Sequence, residues 1–246
     1  MIKAELRWAL RGRVFVTLLF LAIALNALSV YGTITGLPGN ASTSDRLMAA
    51  TSVTLVGLGF GGNLFSMLFG AIVVTNDFRN SAIVRRSFLA GGAPILFNIR
   101  LVALCVPAAV FALASAGSVI VTASIALPLH GFAFVVSPKM LVVLCGVLFT
   151  VFAMTYFGHF IGWLVRNTVV TLIGLLVYSL LVETILIALI PQVGVYLPGG
   201  ATQSITLDKS GTDLILPVGA GYAVLIGWVV ALGIANAFRV RRTDLV

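Results

Sequence analysis

Six apolar runs, each longer than 20 residues, divide the chain at about 14–35, 49–75, 101–127, 140–165, 168–190 and 217–238. A helix needs about 20 apolar residues to cross roughly 30 Å of hydrocarbon, so each run is long enough to span a bilayer as a helix. Strands of a membrane barrel would instead appear as shorter segments of alternating polarity. The balance of the chain agrees: 60% of the 246 residues are hydrophobic and 9% are charged, against about 25% charged in an average soluble domain. No segment is polar enough to form a soluble domain of its own. The expected fold is an all-α membrane protein with six transmembrane helices in a single domain, 1–246. The first run exceeds the 7–15-residue core of a cleaved signal and lacks an A-x-A-like site at its end, so it is expected to be a retained span.

The charges sort by side. With the N-terminus inside, the inner segments 1–13, 76–100, 166–167 and 239–246 hold twelve of the fifteen basic residues, and Arg46, Lys139 and Lys209 fall outside. By the positive-inside rule both termini are expected in the cytoplasm of a multi-pass protein of the plasma (inner) membrane. The net charge of +8 then reports orientation, and no nucleic-acid partner is implied. Cys105 and Cys145 both lie in apolar runs and are expected to be small hydrophobes rather than a disulfide.

Three segments lie outside the runs. Residues 1–13 alternate Ile2, Leu6, Ala9 and Leu10 with Lys3, Arg7 and Arg11 at helical spacing, which predicts an interfacial helix seated on anionic lipid. Residues 76–100 form the longest inner loop, TNDFRNSAIVRRSFLAG at its start (from Thr75), with a short helix predicted over 81–89 and stopped by Gly91, Gly92 and Pro94. Topology accounts for its arginines. It does not account for Ile83, Val84, Phe88 and Leu89 between them, which suit a docking element. Residues 191–216 form the longest outer segment. They are broken by Pro and Gly, and two readings stand: a segment that dips back into the outer leaflet, or an exposed loop.

The tools of an enzyme are missing from the sequence. It contains no G-x-x-x-x-G-K-[ST], no H-E-x-x-H and no G-x-S-x-G, and its two histidines, His130 and His159, are not at ligand spacing. No catalytic residue, metal or cofactor is therefore expected in this chain. Within the membrane three features stand out. Glu183 lies in the outer half of the fifth run, and an intramembrane carboxylate is a functional candidate by default; it is expected to line a transport path, to form a structural pair with Lys139 at similar depth, or to be protonated and bonded to a neighbouring helix. His159 is expected to bond within the bundle. Gly57 with Gly61, and Gly158 with Gly162, each form a G-x-x-x-G that permits close helix contact within the chain or between two copies.

Taken together, this pattern resembles the membrane (permease) subunit of a type-2 ABC exporter over essentially the whole chain. In that family the loop after the second span carries an acid, an aromatic, an arginine and often a glycine before a short coupling helix. Here Asp77-Phe78-Arg79-Asn80-Ser81 is followed by Ala82-Ile83-Val84-Arg85-Arg86. Aspartate stands where glutamate is commoner and serine where glycine is commoner. Tyr196-Leu197-Pro198 matches the family's outer segment, where a re-entrant helical pair sits, and Phe238-Arg239-Val240-Arg241-Arg242-Thr243-Asp244 resembles its basic ending. The resemblance implies a second membrane subunit, identical or not, and separate ATP-binding cassette subunits that carry ATP and magnesium. These would dock on 76–100 through Asp77, Phe78, Arg79, Ile83, Arg85, Arg86 and Phe88, while Glu183 and Tyr196 would line the substrate path. Asp77 and Arg79 would either touch the partner or hold the turn. Two other classes stay open: a proton-coupled secondary transporter using Glu183, and a non-transport membrane scaffold or immunity protein.

Overall fold

A computed structural model describes residues 2–36, 45–79, 82–208 and 214–242. The Asn80-Ser81 turn, Lys209 and Asp213 of the outer segment, and the Thr243-Asp244 ending lie outside them. Among the described residues the structure is helical, with no strands, and six helical stretches are long and apolar enough to cross a membrane.

The elements are α1 (Ile2–Arg11), α2 (Arg13–Thr35), α3 (Asp45–Gly57), a 3-10 turn (Leu58–Gly61), α4 (Gly62–Arg79), α5 (Ala82–Ala90), α6 (Ala93–Leu129), α7 (Pro138–Val165), α8 (Thr168–Val177), a π turn (Tyr178–Val182), α9 (Glu183–Leu189), α10 (Pro191–Gly194), α11 (Pro198–Thr206) and α12 (Val218–Arg242). The second stretch, Thr51–Arg79, is the centre of the bundle, with 71% of its most apolar window buried. The last, Val218–Arg242, is peripheral at 11%. Hydropathy cannot separate the two, because lipid and protein interior are equally apolar solvents for a leucine.

Close approach at the centre rests on glycine. A Cβ on Gly158 would run into the Met67 carbonyl of α4, and one on Gly70 into the Thr155 carbonyl of α7; at Gly162 it would stand 3.0 Å from the Ala71 carbonyl. Backbones meet here because no side chain separates them. The Gly158/Gly162 pair therefore serves a contact within the chain. Gly57 and Gly61 likewise abut Thr206 and Asn26. His159 is sealed in the same region and accepts from Trp163 Nε1 at 3.2 Å, as expected of a bundle histidine. Cys105 and Cys145 are free, and both are exposed on the surface of the bundle rather than packed inside it.

Helix α6 begins earlier than hydropathy suggests, at Ala93, with Pro94 in its first turn, where a missing N–H does no harm. Its 37 residues extend about 55 Å at 1.5 Å per residue, well beyond the hydrocarbon thickness. The overhang is the platform on which α1 and α5 pack. A tight reversal joins α5 to α6. Gly91 at φ 87° and Gly92 at φ 128° adopt backbone that favours glycine, and their N–H groups close on Phe88 and Ser87 carbonyls at 3.2 and 2.8 Å. Arg100, expected at the mouth of a span, is thus two turns inside a helix and buried.

The described part of 191–216 holds the short helices α10 and α11. Ala201, Ser204 and Ile205 of α11 are fully buried against α7 and α12, and the Cβ of a residue at 146 would meet Ile205 at 2.8 Å.

Candidate functional site

Two clusters of polar groups occupy opposite ends of the bundle. The first is built where α4, α5 and the start of α6 meet α1. Asp77 is 2% exposed, as is Arg100. Their side chains form a close ion pair, Arg86 Nη1 reaches Asp77 Oδ2 at 3.0 Å and Glu5 Oε2 at 3.3 Å, and Arg100 Nε lies 3.5 Å from Glu5 Oε2. Two carboxylates face two guanidinium groups, so the formal charge cancels inside a buried site. Such a site is strongly destabilised when one member is removed, because a partner is left charged and unsolvated. Glu5, the sole acid among the first 44 residues, ties the interfacial helix α1 into it. The sequence offered little sign of this: Glu5 and Arg100 are distant from Asp77 along the chain and meet only because α6 overhangs.

This arrangement divides the seven residues expected to dock a partner. Asp77 and Ile83 are buried, the latter among Val74, Leu96, Phe97 and Trp163. They lie on the inner side of α5 rather than on its outward face; for Asp77 this is the turn-holding alternative of the two expected. Arg86 faces inward to the carboxylates. Phe78 stands edge-on to Trp163 at 5.5 Å, with the Arg166 guanidinium 5.4 Å from its ring centroid. What remains outward is Arg79, Arg85 and Phe88, and Phe88 is 78% exposed beside a similarly exposed Leu89. Arg79 and Phe78 also line a cleft of about 580 Å³ with Arg166 and Asn167. There burial and the nearby Arg239 lower the pKa of Arg166 from its ordinary value.

At the far end, Glu183 opens α9 directly after the π turn. A π turn spreads five residues where an α-turn takes fewer, and so rotates everything after it about the helix axis. Thr184 Oγ1 donates to the Ser179 carbonyl at 3.4 Å, five residues back. The rotation leaves the residues of the π turn largely exposed and Glu183 4% exposed. The Gly199 N–H, in the first turn of α11, donates to Glu183 Oε1, and the Tyr178 hydroxyl bonds the same carboxyl group. Lys139 is not its partner. Lys139 sits exposed in the first turn of α7, just after the Ser137 cap, away from the Glu183 carboxyl group. The expected structural pair fails because α11 inserts its own backbone donor against the carboxylate.

A cavity of about 230 Å³ lies beside Glu183, lined also by Asn63, Ser179, Thr184, Gly199, Thr202 and Gln203, with Leu25, Leu64, Met154, Leu180 and Ile187 as apolar walls. Tyr196 does not join it. Its ring is 56% exposed, and its carbonyl accepts from Trp228 Nε1 at 2.9 Å. The structure therefore separates the two residues expected to share a substrate path. A further cleft of about 470 Å³ runs between α1, the start of α2 and α4, past Arg7, Phe15 and Asn76. No group of three or more His, Cys, Asp or Glu side chains among the described residues could hold a metal.

Neither a family model nor a curated protein matches the chain significantly, so its function is argued from this geometry.

Proposed function

We propose that the chain is the transmembrane subunit of an ATP-driven exporter, with both termini in the cytoplasm, paired with a second membrane subunit and powered by separate ATP-binding chains. The observation that carries this reading is the two-sidedness of α5. One face is anchored through Ile83 and Arg86 to α1, α4 and α6, and the other offers Phe88, Leu89 and Arg85 beyond the end of the bundle. An apolar pair ringed by arginines, on a helix rigidly tied to three others, is a lever: a force applied there moves α4 and α6 together. A nucleotide-driven partner can bias a two-state membrane bundle only through such a contact. The buried α11 supports a re-entrant outer segment in the same reading.

The test is co-expression with a separate ATP-binding cassette subunit. A stable complex is expected, and its absence sinks the reading. Within the complex, Phe88→Asp or Arg79→Glu is expected to separate ATP hydrolysis from transport while leaving insertion intact. Normal coupling in both variants excludes α5 as the receiving surface.

A further inference from the structure

We propose that the cavity beside Glu183 binds a primary ammonium group carried on a small apolar body. As a binding site it stands on its own geometry; as a station on the path of an exported substrate it rests on the exporter reading above.

The inference starts from unmet acceptors. Asn63 Oδ1, Thr202 Oγ1 and Gln203 Oε1 have no hydrogen-bond partner among the described residues and show almost no accessible surface; their residues all line this one cavity, so a turn of each side chain is needed to bring its oxygen to a ligand there. Asn63 is 7% exposed and Thr202 3%. Buried polar atoms are nearly always paired, and a cluster of exceptions calls for a missing partner. The fourth group is the Glu183 carboxylate, whose donors from the protein, the Gly199 N–H and the Tyr178 hydroxyl, are both neutral. Among the described residues, no Lys, Arg or His lines the cavity. A buried carboxylate without a cation and three oxygens without donors describe one complement: a positive charge bearing several N–H bonds.

Among cations this selects an R–NH₃⁺ group, which offers three donors, over a quaternary ammonium, which offers none. The other walls bound the rest of the ligand. Leu64, Met154 and Ile187 give an apolar lining, and about 230 Å³ lies below the usual 300–1,000 Å³ of sites for drug-sized molecules. The body attached to nitrogen is therefore about the size of a phenylethyl or short alkyl group. The exposed Leu180 at the rim opens the cavity sideways, so a longer chain could trail out into lipid.

The test uses the purified full chain in lipid nanodiscs and three probes of matched shape: 2-phenylethylammonium, neutral 2-phenylethanol and trimethyl(2-phenylethyl)ammonium. Binding is read by isothermal titration and ligand-observed NMR. Saturable binding of the primary amine is expected, at least about tenfold tighter than the alcohol and tighter than the trimethyl analogue, because charged hydrogen bonds are roughly twice as strong as neutral ones. Glu183→Gln is expected to bring the amine down to the level of the alcohol. Thr202→Val and Asn63→Leu are expected to weaken it several-fold, and Lys139→Ala to leave it unchanged. Should Glu183→Gln fail to fold, the Thr202 and Asn63 variants and the ranking of the three probes decide the matter. Equal binding of amine and alcohol, or binding indifferent to all three cavity variants, overturns the proposal in favour of simple partition. Absence of saturable binding overturns it in favour of a cavity that holds only water. None of these outcomes touches α5: a failed co-purification would sink the exporter and leave the amine site standing, and the converse also holds.

Discussion

Two buried carboxylates, Asp77 and Glu183, sit at opposite ends of the bundle and differ in what completes them. Asp77 is met by two guanidinium groups and shares them with Glu5, so charge is balanced within the protein, although Arg100 Nε and Nη1 have no hydrogen-bond partner. Glu183 is met by a backbone N–H and a hydroxyl, and beside it lie a cavity and three unpartnered oxygens. A carboxylate at low dielectric requires compensation in either place. Where the chain supplies all of it, the group is structural. Where the chain stops short, space is left for something else to supply the rest.

The contrast can be broken by mutation, beginning at the closed end. Asp77→Asn leaves Arg100 buried with only its Glu5 contact and is expected to cost about 3–5 kcal/mol, read as a lowered unfolding midpoint in micelles. A loss below 1 kcal/mol would mean that Asp77 is no more structural than Glu183. Gly158→Val pushes a side chain against the Met67 carbonyl and is expected to cost about 1–3 kcal/mol by overpacking, measured in the same way. It calibrates the scale, since it touches neither carboxylate. At the open end, Glu183→Gln keeps an oxygen to accept from Gly199 and is expected to change stability by no more than about 1 kcal/mol, while amine binding falls to the level of the alcohol. A large loss of stability would make the open site structural after all. The smallest effect is expected at exposed positions: Lys139→Ala and Phe88→Asp should each stay within about 0.5 kcal/mol, and under the proposed exporter reading Phe88→Asp should nevertheless abolish coupling to ATP hydrolysis. Stability and function are thus expected to move in opposite places.

The short helix after the second span was legible because its arginines alternate with apolar residues where lipid demands neither. Which of those residues face out was not. Ile83 and Phe88 are alike in hydropathy, and only the packing of α5 on the overhang of α6 buries one and exposes the other. Glu183 was conspicuous as a carboxylate in an apolar run, but its suspected partner, Lys139, was chosen by depth alone. The actual partner is a backbone N–H at Gly199, and backbone donors carry no sequence signature. Asn63, Thr202 and Gln203 gave no warning at all. Asparagine, threonine and glutamine recur in membrane helices, and what marks these three is that they line one cavity and hold unpartnered oxygens.

The sequence by itself determined that this chain makes six apolar helices, how its basic residues cluster between them, and where a charged amphipathic segment interrupts them. These are properties of transfer from water to hydrocarbon, which sum residue by residue along the chain. Only the tertiary structure decided which helices are central, that Glu5 and Arg100 close the site at Asp77, and that a π turn swings Glu183 into a cavity beneath α11. Those outcomes depend on contacts between residues far apart in the chain and on backbone atoms common to every residue, and neither is written in local hydropathy.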